Sequence, residues 1–241
     1  MTLALPRPLW QRYVAVLVYL LIAMVLIQIA GILLFTAVGK GQLASENTMN
    51  FRMVIYSMVI QMMGFLLPAP LLLRFTRAQN YTFSPARAAD ILLACGLIFA
   101  SLIFFSILYG LLGVEPKQLA FIDQNEIQQH KSAFVAVTVI LAPGYEEWVF
   151  RGLLFGVLVT GAEKLRHVII AALFCMVLFT AIHYEGAHSL TALPPILAIA
   201  AIFQFVTWRS GSLWPAVCAH ALQNLIYAVA MFARYAVENT K

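Results

Sequence analysis

Charge is what this sequence has least of. Asp, Glu, Lys and Arg together make up 10% of its 241 residues, against roughly 25% in ordinary soluble domains. So little charge excludes a chain that faces water on all sides. Cysteine is nearly absent too. Cys95, Cys175 and Cys218 are an odd-numbered set inside apolar segments, which excludes a disulfide framework. Their spacing with histidine is not that of a zinc finger, and they read as small apolar core residues. HExxH is missing, so the common zincin arrangement is excluded. Internal repeats and low-complexity tracts are missing as well. The formal net charge of +5 arises from residues flanking the apolar segments, and no nucleic-acid partner is expected from it.

What remains is hydrophobic: 63% of the residues are apolar and the mean hydropathy is +0.90. About 20 apolar residues cross a hydrocarbon layer roughly 30 Å thick. Segments of this kind run over Tyr13–Val38, Phe51–Leu73, Ile91–Gly113, Ala133–Leu158, Val168–Tyr184 and Leu213–Ala233. Pro195–Thr207 is shorter, and is either extended by the preceding loop or incompletely spanning. The first segment is too long for a signal-peptide core and no small-residue cleavage site stands out, so it reads as a span. The expected fold is all-α: one polytopic transmembrane helical bundle over residues 1–241, with about seven helices (six to eight) and an active site inside the membrane. Residues 1–132 hold N-terminal spans of unassigned role, and residues 133–235 hold the helices with the motifs. Pro68 and Pro70 predict a kink in the second span. The Val114–Ser132 linker has the pattern of an amphipathic surface helix, with Leu119, Phe121, Ile122 and Ile127 apolar. Arg7, Arg12, Arg74, Arg77, Arg87, Lys164, Arg166 and Arg209 fall on one side. Lys40, Arg52, Lys117, Lys131, Arg234 and Lys241 fall on the other. This small excess favours the N-terminus inside.

Against this background the stretch APGYEEWVFRG, Ala142 to Gly152, stands out. A charge at the centre of a membrane helix costs roughly 2.5–3.5 kcal/mol even on lenient scales. The other polar residues at that depth are His183, in FTAIHYE, and His220 with Asn224, in PAVCAHALQN. Residues four apart share a helix face, so Glu147 and Arg151 can neutralise each other, and Glu146 is left without a partner on its own helix. His220 and Asn224 present an imidazole and an amide on one face. At 1.5 Å per residue, Glu146 lies roughly 18 Å in from Leu158, His183 roughly 22 Å in from Val168, and His220 roughly 10 Å in from Leu213. The depths overlap without coinciding. Pro143 and Gly144 are expected to loosen the helix and admit water.

One carboxylate, two histidines and an amide suit the hydrolysis of a peptide bond. Glu146 serves as general base toward water, His183 holds the same water or a metal, and His220 and Asn224 donate to the developing oxyanion. Alternatively Glu146, His183 and His220 form a three-ligand set for Zn2+ with the fourth position open to water. Glu147 is then the candidate base. Buried carboxylates and histidines also mark proton relays and transporter sites. A transporter is expected to show paired discontinuous segments in both halves, and here the first half is nearly free of buried charge.

At these residues the chain resembles a known family. EEWVFRG is similar to the EExxxR motif of the CAAX-protease and bacteriocin-processing (CPBP, or Abi) intramembrane proteases. FTAIH is similar to their FxxxH motif, and SLWPAVCAHALQN to their third, an HxxxN motif after a small-Leu-Trp-Pro stretch. The resemblance covers roughly Ala142–Tyr227. It implies an intramembrane endopeptidase in which Glu146 activates water and His183 assists it or binds metal. His220 and Asn224 form the oxyanion site or add ligation, and Glu147 with Arg151 support the site. Family members are described as metalloproteases and as glutamate-type proteases, so Zn2+ and a metal-free mechanism both stay open. A non-catalytic scaffold of the same fold is the remaining alternative. The implied partners are a membrane-associated protein or peptide substrate and the lipid bilayer. The short loops and compact length point to a multi-pass protein of a bacterial cytoplasmic membrane.

Overall fold

The computed structural model describes residues 6–38, 43–45, 48–49, 51–114, 124–162, 164–187 and 190–238. Among the described residues, seven helices are long and apolar enough to cross a membrane: Leu9–Ala37, Ile55–Thr76, Ala88–Leu112, Lys131–Val159, Leu165–His183, Leu190–Ser210 and Trp214–Val237. The all-α polytopic bundle is therefore the fold the chain adopts. The sixth span reaches full length because the loop before Pro195 joins the helix. Extended pairing among the described residues is confined to a short antiparallel hairpin, β1 (Leu43–Ser45) with β2 (Thr48–Met49), and a single Thr82–Ser212 bridge. Of the expected surface helix, Gln124–Gln129 is helical and Ile127 is buried. Leu119, Phe121 and Ile122 lie outside the described residues.

The side chains sort as lipid and protein interior require. Leu92, Ile103 and Leu111 are exposed on the third span, while Ala94 and Ile98 face inward. With Ala216 and Ala219 of the seventh span and Phe203 and Val206 of the sixth, they form one core. Small residues at such contacts let backbones approach closely, which is what drives helix association in lipid. A second core surrounds the end of the fourth span, from Val149 to Leu158, with residues of the first, second and fifth. The second span is broken as expected. Helix Phe51–Leu66 and helix Ala69–Thr76 flank Pro68, which cannot donate a backbone hydrogen bond. At the break, the Tyr19 hydroxyl donates to the Phe65 carbonyl at 2.7 Å.

The fourth span is not a plain α-helix. It is π-helical over Ala136–Leu141 and Trp148–Phe155, with the α-helical Ala142–Glu147 between. A π turn carries an extra residue and is frequent at functional sites. Pro143 and Gly144 themselves lie in the α-helical stretch, and the departures from α geometry fall on either side of it.

Residues before position 132 clamp the end of this span. Arg12 of the first span is buried, and its Nη1 donates to the carbonyls of Val157 (3.0 Å), Leu158 (3.1 Å) and Thr160. These are the acceptors a helix terminus leaves unpaired. The loop after the second span lies along the same helix. Tyr81 N donates to Gly152 O at 3.1 Å, and Gln79 exchanges two hydrogen bonds with Thr160 Oγ1, both 3.1 Å. Tyr81 stacks on Phe155, centroids 5.7 Å apart. The contact depends on two missing side chains, because a Cβ on Gly156 would stand 2.9 Å from Asn80 Cα and 3.0 Å from Tyr81 N, and one on Gly152 would stand 3.2 Å from Tyr81 O. The loop also ties down the start of the seventh span. Leu213 N donates to Thr82 O at 3.1 Å, and Ser212 Oγ donates to Ser84 O at 2.6 Å.

Gly156→Ala should therefore destabilise the protein by about 1–3 kcal/mol, the usual range for overpacking. Gly31→Ala, where nothing lies within 4 Å of the new Cβ, should be near neutral. Equilibrium unfolding in mixed SDS micelles measures both.

Candidate active site

The fourth span carries two carboxylates with opposite surroundings. Glu147 and Arg151 are both 0% exposed and paired at 3.2 Å, while the Glu146 side chain keeps 22% exposure and that of His183 31%. The pairing expected from the four-residue spacing is present, and it is sealed from solvent. Arg151 also donates to Ala200 O at 3.2 Å and lies over the rings of Phe179 (4.3 Å) and Phe203 (5.4 Å). A fully buried guanidinium is tolerable only with such compensation, from a counter-charge, a carbonyl and aromatic faces.

The three histidine and glutamate positions singled out in the sequence converge. His183 Nε2 is 3.4 Å from Glu146 Oε2, and His220 Nε2 is 3.8 Å from the same oxygen. His220 meets them despite its shallower depth along its own helix. Leu213, the reference point for that depth, is 0% exposed and its N–H is bonded to the Thr82 carbonyl.

The other nitrogen of each ring is fixed by a partner that only accepts. His183 Nδ1 lies 2.8 Å from Phe179 O, and His220 Nδ1 lies 2.9 Å from Glu147 Oε1. Both Nδ1 atoms therefore carry hydrogen, and in a neutral ring Nε2 presents a lone pair. Two such lone pairs face Glu146 Oε2, which has no hydrogen-bond partner. Facing lone pairs repel, so a proton, a water hydrogen or a cation belongs among them. Ring stacking sets the imidazole planes: Phe179 on His183 (4.1 Å, 30°) and Phe203 on His220 (4.9 Å, 23°). Phe203 and Ala200 are site residues that the sequence does not announce. They lie in the sixth span, which has no charged or motif residue at that depth, and an aromatic in an apolar run carries no signal of its own.

Asn224 has a different partner. Its Nδ2 donates to Thr138 O at 2.8 Å. In the π-helical register Ala142 N bonds Val137 O, so the next amide, residue 143, should bond Thr138 O. Residue 143 is proline and has no N–H. The Asn224 amide takes its place.

As to metal, two imidazole nitrogens and one carboxylate oxygen are the donor types zinc takes. Edges of 3.4 and 3.8 Å are near the roughly 3.3 Å edge of a tetrahedron with about 2.0 Å bonds. Among the described residues, no group of three or more His, Cys, Asp or Glu side chains is placed to hold a metal ion as it stands.

Both buried contacts can be weighed by stability. Glu147→Gln should cost about 3–5 kcal/mol by leaving Arg151 uncompensated, and the Glu147→Gln/Arg151→Met pair should cost less than the sum of its single changes. Asn224→Ala should cost about 1–3 kcal/mol by orphaning the Thr138 carbonyl. Adding Pro143→Ala should return much of that loss, because residue 143 regains an N–H. Unfolding midpoints of the single and double variants decide both.

Comparison with known proteins adds to the geometry. No curated protein and no solved structure matches the chain. Residues 128–226, under half of its length, match the family described as type II CAAX prenyl endopeptidase Rce1-like, and all three motifs lie within the matched segment. The resemblance carried by those motifs is thus borne out: from the fourth span to the seventh, this chain is similar to the Rce1-like type II CAAX prenyl endopeptidases.

Proposed function

We propose that the protein is an intramembrane endopeptidase that hydrolyses a membrane-associated protein or peptide with water activated by Glu146. The observation that carries this reading is the convergence of His183 Nε2 and His220 Nε2 on Glu146 Oε2, on the accessible side of a sealed Glu147–Arg151 pair. A water among these three atoms is held with its oxygen free to attack, and Glu146 accepts its proton. His183, fixed through Nδ1 by Phe179 O, positions that water. The proton that Glu146 takes from water passes to His220 Nε2, where the Glu147 carboxylate at Nδ1 stabilises the imidazolium; His220 donates to the oxyanion with the second amide hydrogen of Asn224 and then gives the proton to the leaving amine as the C–N bond breaks. Glu146, His183 and His220 are also the residues that would hold zinc. The chemistry zinc supplies when bound is Lewis-acid polarisation of water or carbonyl. The short loops support a bacterial cytoplasmic membrane as the protein's location.

Glu146→Gln should lower cleavage of a membrane-anchored peptide reporter by about 10²–10⁴-fold with an unchanged unfolding midpoint. Equal cleavage by wild type and variant would remove Glu146 as the base. Chelation separates the two mechanisms: loss of cleavage restored by zinc supports the ligand role, and full activity in metal-free protein supports the glutamate mechanism alone.

A further inference from the structure

Gln61 is a polar residue at mid-depth in the second span, and the candidate site makes no use of it. Depth can be counted from the ends of the second and fourth spans that meet where Gln79 bonds Thr160. At 1.5 Å per residue, Gln61 lies roughly 22 Å from Thr76 and Glu146 roughly 20 Å from Val159. The two are at one level. A hydrogen bond brings them side by side, for the Tyr145 hydroxyl donates to the Gln61 carbonyl at 3.1 Å and Tyr145 directly precedes Glu146.

Helical spacing gives the direction of the side chain. Gln61 and Phe65 are four apart and share a face, and Phe65 meets the Tyr145 ring, centroids 6.3 Å apart. A helical side chain leans toward the N-terminus of its helix. The Gln61 amide therefore extends away from Tyr145, along the crevice between the second and fourth spans. Tyr145, Phe65 and Tyr19 close this crevice at one end, with the Tyr19 hydroxyl on the Phe65 carbonyl. Its other end is open: Gln61 is exposed, and so is Leu141, one turn before Tyr145, at 50%. The side-chain amide of Gln61 has no partner among the described residues.

An amide left bare to hydrocarbon is costly, and lipid at this depth cannot satisfy it. Acyl chains offer neither donor nor acceptor, and an ester carbonyl only accepts. A peptide brings both. A membrane segment must leave its helix before water held at Glu146 can reach a peptide bond, and its freed N–H and C=O groups then need new partners. A primary amide donates and accepts in one plane, which matches one backbone unit of an extended strand.

We infer that Gln61 is a substrate-binding residue, whose side-chain amide pairs with a backbone unit of the extended substrate segment lying across Glu146. Packed helix axes stand about 8–10 Å apart, so the unit held is about two or three residues from the scissile bond, at roughly 3.3 Å each. Such pairing selects an extended backbone and ignores side chains. The role rests on the endopeptidase proposed for Glu146, and it places a substrate contact outside residues 128–226.

Steady-state cleavage of a membrane-anchored peptide reporter by the full chain in nanodiscs tests it. Gln61→Met, similar in shape and at ease in lipid, should raise KM about five- to tenfold, the weight of one hydrogen bond. Its kcat should stay nearly unchanged, as loss of uniform binding requires. Met63→Leu, on another face of the same helix, should change neither. Reporters with one backbone amide at a time replaced by an ester locate the contact. At one position near the scissile bond, the ester should weaken wild type by a similar factor and leave Gln61→Met unaffected. The unfolding midpoint of Gln61→Met should equal or exceed that of wild type, and Gln61→Leu takes its place if it does not fold. An unchanged KM, ester costs that are the same in both proteins, or a lowered midpoint, which would make the amide a tie between helices, overturns the inference. Cleavage by wild type then still leaves Glu146 its role. If wild type does not cleave, the endopeptidase reading falls by itself, and the Kd of the reporter decides Gln61. Binding five- to tenfold weaker in Gln61→Met supports the contact, and equal binding overturns it.

Discussion

A single buried guanidinium organises the C-terminal half of this protein. Arg151 is fully enclosed, yet it must stay charged in a region where unpaired charge costs several kcal/mol. Its compensation is drawn from everything around it: the Glu147 carboxylate on its own helix, the Ala200 carbonyl on the sixth span, and the faces of Phe179 and Phe203 on the fifth and sixth. Glu147 passes the constraint on, because its Oε1 also takes the Nδ1 hydrogen of His220 on the seventh. Four helices are fixed relative to one another by the need to keep one cation satisfied. The same two phenylalanines stack on the two histidines, so the arginine that holds the bundle also sets the imidazole planes.

The paired glutamates therefore have separate tasks despite being neighbours. Helical geometry turns them about 100° apart, one into the sealed core and one toward the accessible cluster. A carboxylate with its partners in a closed core is a structural anion. A carboxylate facing two bare imidazole nitrogens is the one proposed to activate water. The π-helical flanks belong to this division, since each changes the angular offset of the residues after it and lets both glutamates reach their partners from one helix.

Much of this was legible in the sequence, and the reason is physical. Seven spans show because lipid demands long apolar runs. Glu146, His183 and His220 show because titratable groups in such runs are rare enough to point at one another, and Glu147–Arg151 shows because ion pairs in helices obey a four-residue spacing. Phe203 and Ala200 were invisible, being ordinary members of an apolar helix. Asn224 was visible, but its partner was not. The link to Thr138 requires knowing that the helix shifts into π register just before Pro143, and register is a property of the folded backbone. The clamp from Gln79 to Ser84 was hidden for a similar reason: polar loop residues gave no sign that they lie against Gly152 and Gly156.

The proline at position 143 has a consequence for how the protein is made. A membrane helix ordinarily completes its backbone hydrogen bonds within itself and can enter lipid on its own. The fourth span cannot, because Thr138 O waits for an amide that lies 86 residues further along the chain. When this helix leaves the translocation machinery, Glu147 has Arg151 on its own helix, but Glu146 and the open carbonyl are unmatched, and three more spans must be added before they are met. Glu146 thus exists for a time without its imidazoles. The proposed catalytic cluster is therefore complete only once the seventh helix docks, and the proposed peptidase stays inactive until then.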